Sequence, residues 1–342
     1  MRDRSKSLSF ITEGNIISAR LAVGLSFKDI LTITSKAPKQ KVRSRMCRFL
    51  CYKGPAILLA DLLYRPQNSL IRQSFKAKER TEPLNGDGFG VGWYATNISP
   101  TPCVFTSLTP AWSNQNLRRL SEHVESSCFF AHVRAASPGM RVCEANCHPF
   151  QHGRFLWMHN GTIEGFWQIR RRLRASLPDQ LYDAIQGTTD SEHAFAVFLQ
   201  LLGDTERMCS AKEMGQALVL TIAQLERWTA ETGSSAPSYF NFAVTDGQSV
   251  AAVRYVSNPT VEPASLYYSV SGKPQVTGRV CQSAEPHDGN ERTVVVASER
   301  LNEDSTDWIR VAPNHVLTIT QELTVNVELM DVVRLGSKIS PP

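Results

Sequence analysis

The stretch Met46-Cys47-Arg48-Phe49-Leu50-Cys51 places a cysteine directly after a methionine. If translation starts at Met46 and the methionine is trimmed, Cys47 becomes the first residue of the chain. Its free α-amine, titrating near pKa ~8, can then take the proton from its own thiol. Nucleophile and base reside in one residue, and no separate histidine base is needed. Arg48 to Tyr52 reads as a short strand, so this cysteine heads a β-strand.

On the N-terminal side of that stretch the composition changes. Residues 1–45 carry ten Lys/Arg against three Asp/Glu, of 37 and 32 in the whole 342-residue chain, which leaves 27 against 29 for the rest. The body is therefore near neutral. The basic excess lies outside it, so a nucleic-acid partner is discounted. Residues 1–45 read as an extension that is disordered, cleaved or a misassigned start; a mitochondrial transit peptide is the alternative, and Asp3, Glu13 and Asp29 count against it. Residues 46–342 read as a single domain. No run approaches the ~18 to 20 apolar residues of a membrane span, and no secretory signal pattern is present. A soluble cytoplasmic protein is expected, or a mitochondrial one if the extension is a transit peptide. Eight cysteines are too sparse for a disulfide scaffold and suit a reducing compartment.

On the C-terminal side, apolar patterning predicts strands first, helices in the middle and strands again. Ile57 to Tyr64 reads as a helix ended by Pro66, followed by strands at Asp87–Tyr94, Cys128–Val133 and Phe155–His159. Helices are predicted at 162–177, 191–202 and 211–232. Strands follow at 239–245, 249–255, 266–270, 293–298, 316–320 and 323–329, with a long loop over 272–290. The order argues for an α+β layered fold, not alternating βαβ units. Gly88, Gly90 and Gly92 leave one face of their strand bare. That permits close approach of a ligand, or equally a tightly packed core strand.

Polar sites punctuate the first half in the order Cys47, His132-Val133-Arg134, Asn160-Gly161 and Thr189-Asp190-Ser191-Glu192. Taken singly each has a bland reading. Cys47 could be a buried hydrophobe, Arg134 half of a salt bridge, Asn160 a helix N-cap, and Thr189 to Glu192 a capping box. Together with Ser69 to Ser74, Phe130 to Ser137, Asn146-Cys147-His148-Pro149-Phe150 and Val294 to Glu299, they resemble the class II, N-terminal-nucleophile glutamine amidotransferases. The similarity is to a short stand-alone branch beginning Met-Cys-Arg-Phe, which includes a subunit of a fungal glutathione-degradation complex and a bacterial γ-glutamyl hydrolase of ergothioneine synthesis.

That resemblance implies a four-layer αββα sandwich of two mainly antiparallel sheets. It implies Cys47 as nucleophile on a γ-glutamyl carbonyl, giving a thioester that water hydrolyses. Asn160 through its amide and Gly161 through its N–H become the oxyanion hole, the latter on the expectation that Gly161 opens a helix. Arg134 clamps the substrate α-carboxylate, Asp190 accepts the α-ammonium, and His132 lines or braces the pocket. No cofactor or metal is implied. The substrate is glutathione or glutamine, and a peptidase-like protein is the implied partner. The chain departs from the larger amidotransferases in having Cys47-Arg48-Phe49 where they have Cys-Gly-Ile, and Ala135 and Pro138 after the clamp arginine.

Three other readings bear on function. Cys143, Cys147 and His148 could ligate a metal, but the paired CxxC spacing is missing. Arg170-Arg171-Arg172-x-Arg174 fits a solvated helix face better than a phosphate site. If residues 1–45 stay attached, the Cys47 amine is tied up in a peptide bond, and the protein is an inactive scaffold.

Overall fold

Residue Cys47 sits at the mouth of a layered sandwich. The computed structural model describes residues 11–12, 15–16, 46–79, 84–137, 139–271, 274–277, 280–283, 292–302 and 307–332. The chain forms two units, Met1–Arg43 and Ser44–Pro342. In the first, Ile11–Thr12 pairs antiparallel with Asn15–Ile16.

In the second unit, one sheet runs in spatial order β11 (Trp308–Arg310), β9 (Tyr267–Ser271), β10 (Thr293–Ala297), β1 (Arg48–Leu58), β4 (Glu125–Val133), β2 (Phe89–Trp93) and β3 (Cys103–Ser107). The other runs β13 (Val325–Leu329), β12 (His315–Ile319), β8 (Val250–Val256), β7 (Tyr239–Thr245), β6 (Phe155–Thr162) and β5 (Phe150–His152). Every neighbouring pair is antiparallel. The helices are α1 (Ala60–Leu63), α2 (Leu70–Lys76), α3 (Gln115–Ser121), α4 (Phe166–Ala175), α5 (Asp179–Ala184), α6 (Asp190–Leu202) and α7 (Ala211–Ala230).

The period-2 side-chain alternation of strands assembles the layers. On β1, Phe49 and Cys51 join Leu156, Met158, Ala252 and Leu317 in an apolar layer between the sheets. Their neighbours Leu50 and Tyr52 turn the other way, against Leu62, Leu63 and Leu70 of α1 and α2. On the second sheet Trp157, Phe242 and Val253 pack against Phe195, Phe198, Leu218 and Ile222 of α6 and α7. The result is helix, sheet, sheet, helix, as the resemblance implied. Each such buried side chain contributes about 1.5–3 kcal/mol relative to exposure.

The glycine face of β2 receives protein, not a ligand. A Cβ on Gly88 would sit 2.8 Å from Cys147 Sγ, one on Gly92 would lie 2.8 Å from Leu156, and one on Gly90 would collide with the His148 carbonyl. Bare backbone lets the 147–149 segment lie flat on the strand.

Several elements differ from the sequence-based expectation. Ile57 and Leu58 are not helical: β1 resumes at Ile57↔Ser126 after a bulge that holds Pro55, and only Ala60–Leu63 is helix. Proline lacks the N–H a ladder needs, so it is confined to such bulges. The expected helix at Thr162 starts instead at Phe166. β6 runs on through Asn160↔Asn241, Gly161↔Phe240 and Thr162↔Tyr239. Gly165, at φ 67°, then breaks the path into α4. Part of the predicted loop 272–290 is a hairpin, Pro274–Thr277 with Val280–Ser283; the remainder of that loop lies outside the described residues. Strands β3, β5 and β11 and helices α2, α3 and α5 carry patterns too short to read from spacing.

Candidate active site

Antiparallel register brings the first two polar sites together. Arg48 pairs with Val133, so Cys47, one residue before β1, lies beside the chain as it leaves β4 through Arg134 and Ala135. The Ala135 N–H donates to Cys47 Sγ at 3.3 Å. Asp87 shapes this turn, its Oδ2 accepting from Ala136 N at 2.8 Å.

The Arg134 guanidinium is buried, 3 % exposed, and donates to the Asp87 and Arg141 carbonyls at 3.5 and 3.1 Å. Among the described residues no carboxylate pairs with it. A buried cation held by neutral carbonyls alone keeps its affinity for an anion.

Asp190 opens α6, where the helix N-terminus favours an anion. Its Oδ2 accepts from Ile163 N at 2.9 Å and its Oδ1 from Ser191 N at 2.8 Å. It therefore ties the loop after Gly161 to the helix. Thr189 caps that helix through Glu192 N at 3.2 Å, but the Glu192 carboxylate accepts from Gln186 and Gly187 at 2.9 and 2.7 Å. Only half of the expected capping box forms.

Asn160 and Gly161 lie on the last turnless residues of β6, not at a helix start. The expected helix dipole behind Gly161 is thus replaced by the ladder to β7. Gly161 has no room for a side chain: a Cβ would lie 2.5 Å from His159 Nε2 and collide with the Tyr239 carbonyl. Asn160 is 0 % exposed, and neither atom of its amide has a hydrogen-bond partner among the described residues. A buried amide of this kind is a rare feature and points to function.

One small cleft is lined by Cys47, Arg134, Gly161 and Asp190, along with His148, His159 and Ser191. It gathers four of the predicted residues. Asn160 and His132 are not on its lining: Asn160 is buried next to Gly161, and His132 stacks on His148 with ring centroids 4.2 Å apart, its Nε2 3.2 Å from the His159 carbonyl. Burial pushes the His132 imidazole down to about 3, and it lowers His148 and His159 as well. All three rings are neutral at pH 7. The Ser191 hydroxyl lies between His159 Nδ1 at 2.9 Å and Asp190 Oδ1 at 3.2 Å.

Asp87 and His159 went unread as site residues in the sequence, while His148 and Ser191 figured there only within the Asn146–Phe150 and Thr189–Glu192 motifs, with His148 also a possible metal ligand. His159 directly precedes Asn160 and Ser191 directly follows Asp190, and that adjacency was the available signal. A roomier cavity of about 300 Å³, lined by Phe150, Leu181, Ile185 and Phe195, holds none of the predicted site residues. Among the described residues no cluster of His, Cys, Asp and Glu could hold a metal, and no helix is long and apolar enough to cross a membrane.

Two antiparallel sheets between helical layers, with a cysteine heading a central strand, form a sandwich of the N-terminal-nucleophile hydrolase type. The sequence matches the class-II glutamine amidotransferases over residues 66–338, and the chain belongs to that family. It is 40 % identical over 308 residues to the "Probable glutamine amidotransferase DUG3" of Saccharomyces cerevisiae, covering 84 % of this chain and 85 % of that protein. It is 29 % identical over 215 residues to the γ-glutamyl-hercynylcysteine sulfoxide hydrolase of Mycobacterium tuberculosis, covering 61 % of this chain and 85 % of the relative. Among solved structures, a glutamine aminotransferase class-II domain protein from Silicibacter pomeroyi superposes with a TM-score of 0.59 at 28 % identity, over 83 % of this chain and 98 % of that one.

Proposed function

We propose that the protein hydrolyses γ-glutamyl amides with Cys47 as an N-terminal nucleophile, and that glutathione is the substrate. The observation that carries this reading is the convergence of Cys47, Arg134, Gly161 and Asp190 on one cleft, with the unpartnered Asn160 amide buried beside Gly161. The Cys47 thiolate attacks the γ-carbonyl, and the carbonyl oxygen becomes an oxyanion received by the Asn160 amide and the Gly161 N–H. The C–N bond breaks as the leaving amine takes the proton lost by the thiol. Water then attacks the thioester, releasing glutamate and restoring the thiol.

Arg134 and Asp190 provide opposite charges for the carboxylate and ammonium of an amino-acid head. Glutamine and glutathione share that head and differ only in the leaving group, ammonia or Cys-Gly. The choice of glutathione draws support from the mycobacterial relative, whose name records a γ-glutamyl bond on a cysteine derivative. A peptidase-like partner would consume the Cys-Gly product. The alternative, ammonia release from glutamine, uses the same residues and the same thioester.

The α-amine of Cys47 is free only when residues 1–46 are absent, so the catalytic form in this reading is the 46–342 domain with Met46 trimmed. The test is the N-terminal residue of the protein isolated from its natural source, followed by parallel assays on glutathione and glutamine. Mass spectrometry should find Cys47 first, and glutathione should give the higher kcat/KM. A mature chain that retains Met1 or Arg2 and hydrolyses neither compound would make the protein a scaffold.

A further inference from the structure

Two features have no part in the chemistry above: the arginine directly after the nucleophile, and the Val294 to Glu299 segment. They meet in space. Arg48 and Glu299 are 2 % and 1 % exposed, and Arg48 Nε lies 2.8 Å from Glu299 Oε1. The other arm of the guanidinium, Nη1, donates to the Cys47 carbonyl at 2.9 Å.

The carboxylate is as fully held as the guanidinium. It accepts from Lys78 N at 3.0 Å, Glu79 N at 3.1 Å and the Asn68 amide at 3.4 Å. Burial alone would raise the Glu299 carboxyl, yet the Arg48 charge and these amides hold it below the ordinary carboxylate range. The neighbouring Ser298 grips the same strand end: its hydroxyl accepts from Phe49 N at 3.0 Å, and its N–H donates to the Phe49 carbonyl at 3.0 Å.

We infer that Arg48 and Glu299 are a positioning clamp for the nucleophile, with Glu299 fixing the guanidinium and the guanidinium fixing the Cys47 carbonyl. The clamp rests on the reading of Cys47 as nucleophile. Cys47 lies outside the β-ladder, which begins at Arg48. Once the preceding residues are gone, nothing covalent holds it on that side, and a strand end of this kind frays. The forked guanidinium restrains the Cys47–Arg48 peptide plane, and with it the direction of the thiol into the cleft. An ordinary buried ion pair would stabilise the fold or merely break even against apolar replacements. Here one arm of the pair is spent on the nucleophile's own backbone.

The test uses the Met46-initiated protein with its N-terminus verified. The double variant Arg48→Met/Glu299→Gln removes both charges together, so it leaves no unpaired buried ion and no change in net charge near the thiol. It should keep the wild-type circular dichroism spectrum while kcat falls about 30- to 100-fold and KM stays within about twofold, since small misplacements of a reacting group can cost ~10²-fold. The rate of Cys47 alkylation by iodoacetamide, followed by mass spectrometry, should rise several-fold with an unchanged pH midpoint. Arg48→Lys, which keeps the charge but loses the fork, should recover part of kcat. Glu299→Gln alone keeps the acceptor for the amides and should fall between, and it serves if the double variant does not fold. Wild-type kcat and alkylation rate in a folded variant would overturn the clamp, as would a loss confined to KM. A fully active Cys47→Ala protein would instead sink the nucleophile reading, and the alkylation rate would still report on the clamp.

Discussion

The two sides of the cleft are built on opposite principles. Beside the first sheet, Arg48, Glu299 and Ser298 form a connected set of hydrogen bonds around the chain at Cys47 in which both charges are matched; Asn68 donates to the same carboxylate, while its own Oδ1 has no partner among the described residues. On the second sheet, Asn160 is fully buried with neither amide atom partnered, and the His148 ring above Phe150 has neither nitrogen partnered among the described residues. An unsatisfied buried polar group costs about 1–3 kcal/mol. Around the nucleophile the buried charges are matched, whereas next to Gly161 a whole side-chain amide carries that penalty. In the proposed reading, the Arg48–Glu299 side holds the attacking atom in place, and the Asn160 side holds donors rigid until charge develops in front of them. Preorganised donors of that kind are the larger source of catalysis because they need no reorganisation at the moment of reaction.

The sharpest way to break the comparison is to remove one member from each side. Cys47→Ala in the Met46-initiated protein should lower kcat by ~10⁴-fold or more while binding of the substrate head persists, because the oxyanion donors alone leave only residual catalysis. Asn160→Ala should cost less, ~10² to 10³ in kcat with KM little changed, as loss of a single oxyanion donor does. Its melting temperature should hold or rise, since the variant removes an unsatisfied buried amide. A drop in melting temperature with full activity would show that Asn160 belongs to the saturated, structural kind.

In the same cleft sit Arg134 and Asp190, the charged groups proposed to hold the substrate head. Arg134→Lys keeps the charge but loses the planar fork, and kcat/KM should fall about 10- to 100-fold, chiefly through KM. Asp190→Asn should act in the same direction. It should also loosen the loop at Ile163, because an amide oxygen is a weaker acceptor than the carboxylate now held by that N–H. Equal losses of kcat with unchanged KM in both variants would place these residues at the reacting carbonyl and not at the head.

Much of this division was legible in the sequence, and the part that was not has physical reasons. The α+β layering follows from the order of strand-like and helix-spaced runs, Tyr239–Thr245 among them, whose burial is unbroken; the four-layer sandwich was what the family resemblance implied. The resemblance carried by Cys47, Arg134, Asn160-Gly161 and Asp190 implied one site, and four of these five residues line one cleft. The strand character of Asn160-Gly161 was hidden because an Asn-Gly pair ahead of a helix-spaced run has the local look of a helix start. Only pairing with Tyr239–Asn241, some 80 residues away, overrides it. The bare face of β2 was undecidable from spacing because its cover, His148-Pro149, comes from a distant loop. The Arg48–Glu299 pair spans 251 residues, so no local pattern announces it.

His132 offers the smallest effect and the test of how far the unsaturated side extends. Its Nδ1 has no partner among the described residues, but it lies beneath the cleft, stacked on His148, and burial holds its pKa at about 3. An unfolded histidine titrates near ~6.5. Between those values the unfolded chain binds a proton that the folded chain refuses, so stability is intact above pH ~6.5 and declines as pH falls toward 3. The slope is up to about 1.4 kcal/mol per pH unit for this ring, and His148, lowered for the same reason, adds to it. His132→Phe keeps the ring stack and removes the titration. Its melting temperature should fall less steeply than that of the wild type between pH 7 and 4.5, with turnover at neutral pH altered only a few-fold. A KM increase of tenfold or more would mean that His132 reaches the substrate after all. Identical pH slopes in the two proteins would mean that the ring is hydrated and protonates within the fold, and the boundary between the two sides would then move down to the His132–His148 stack.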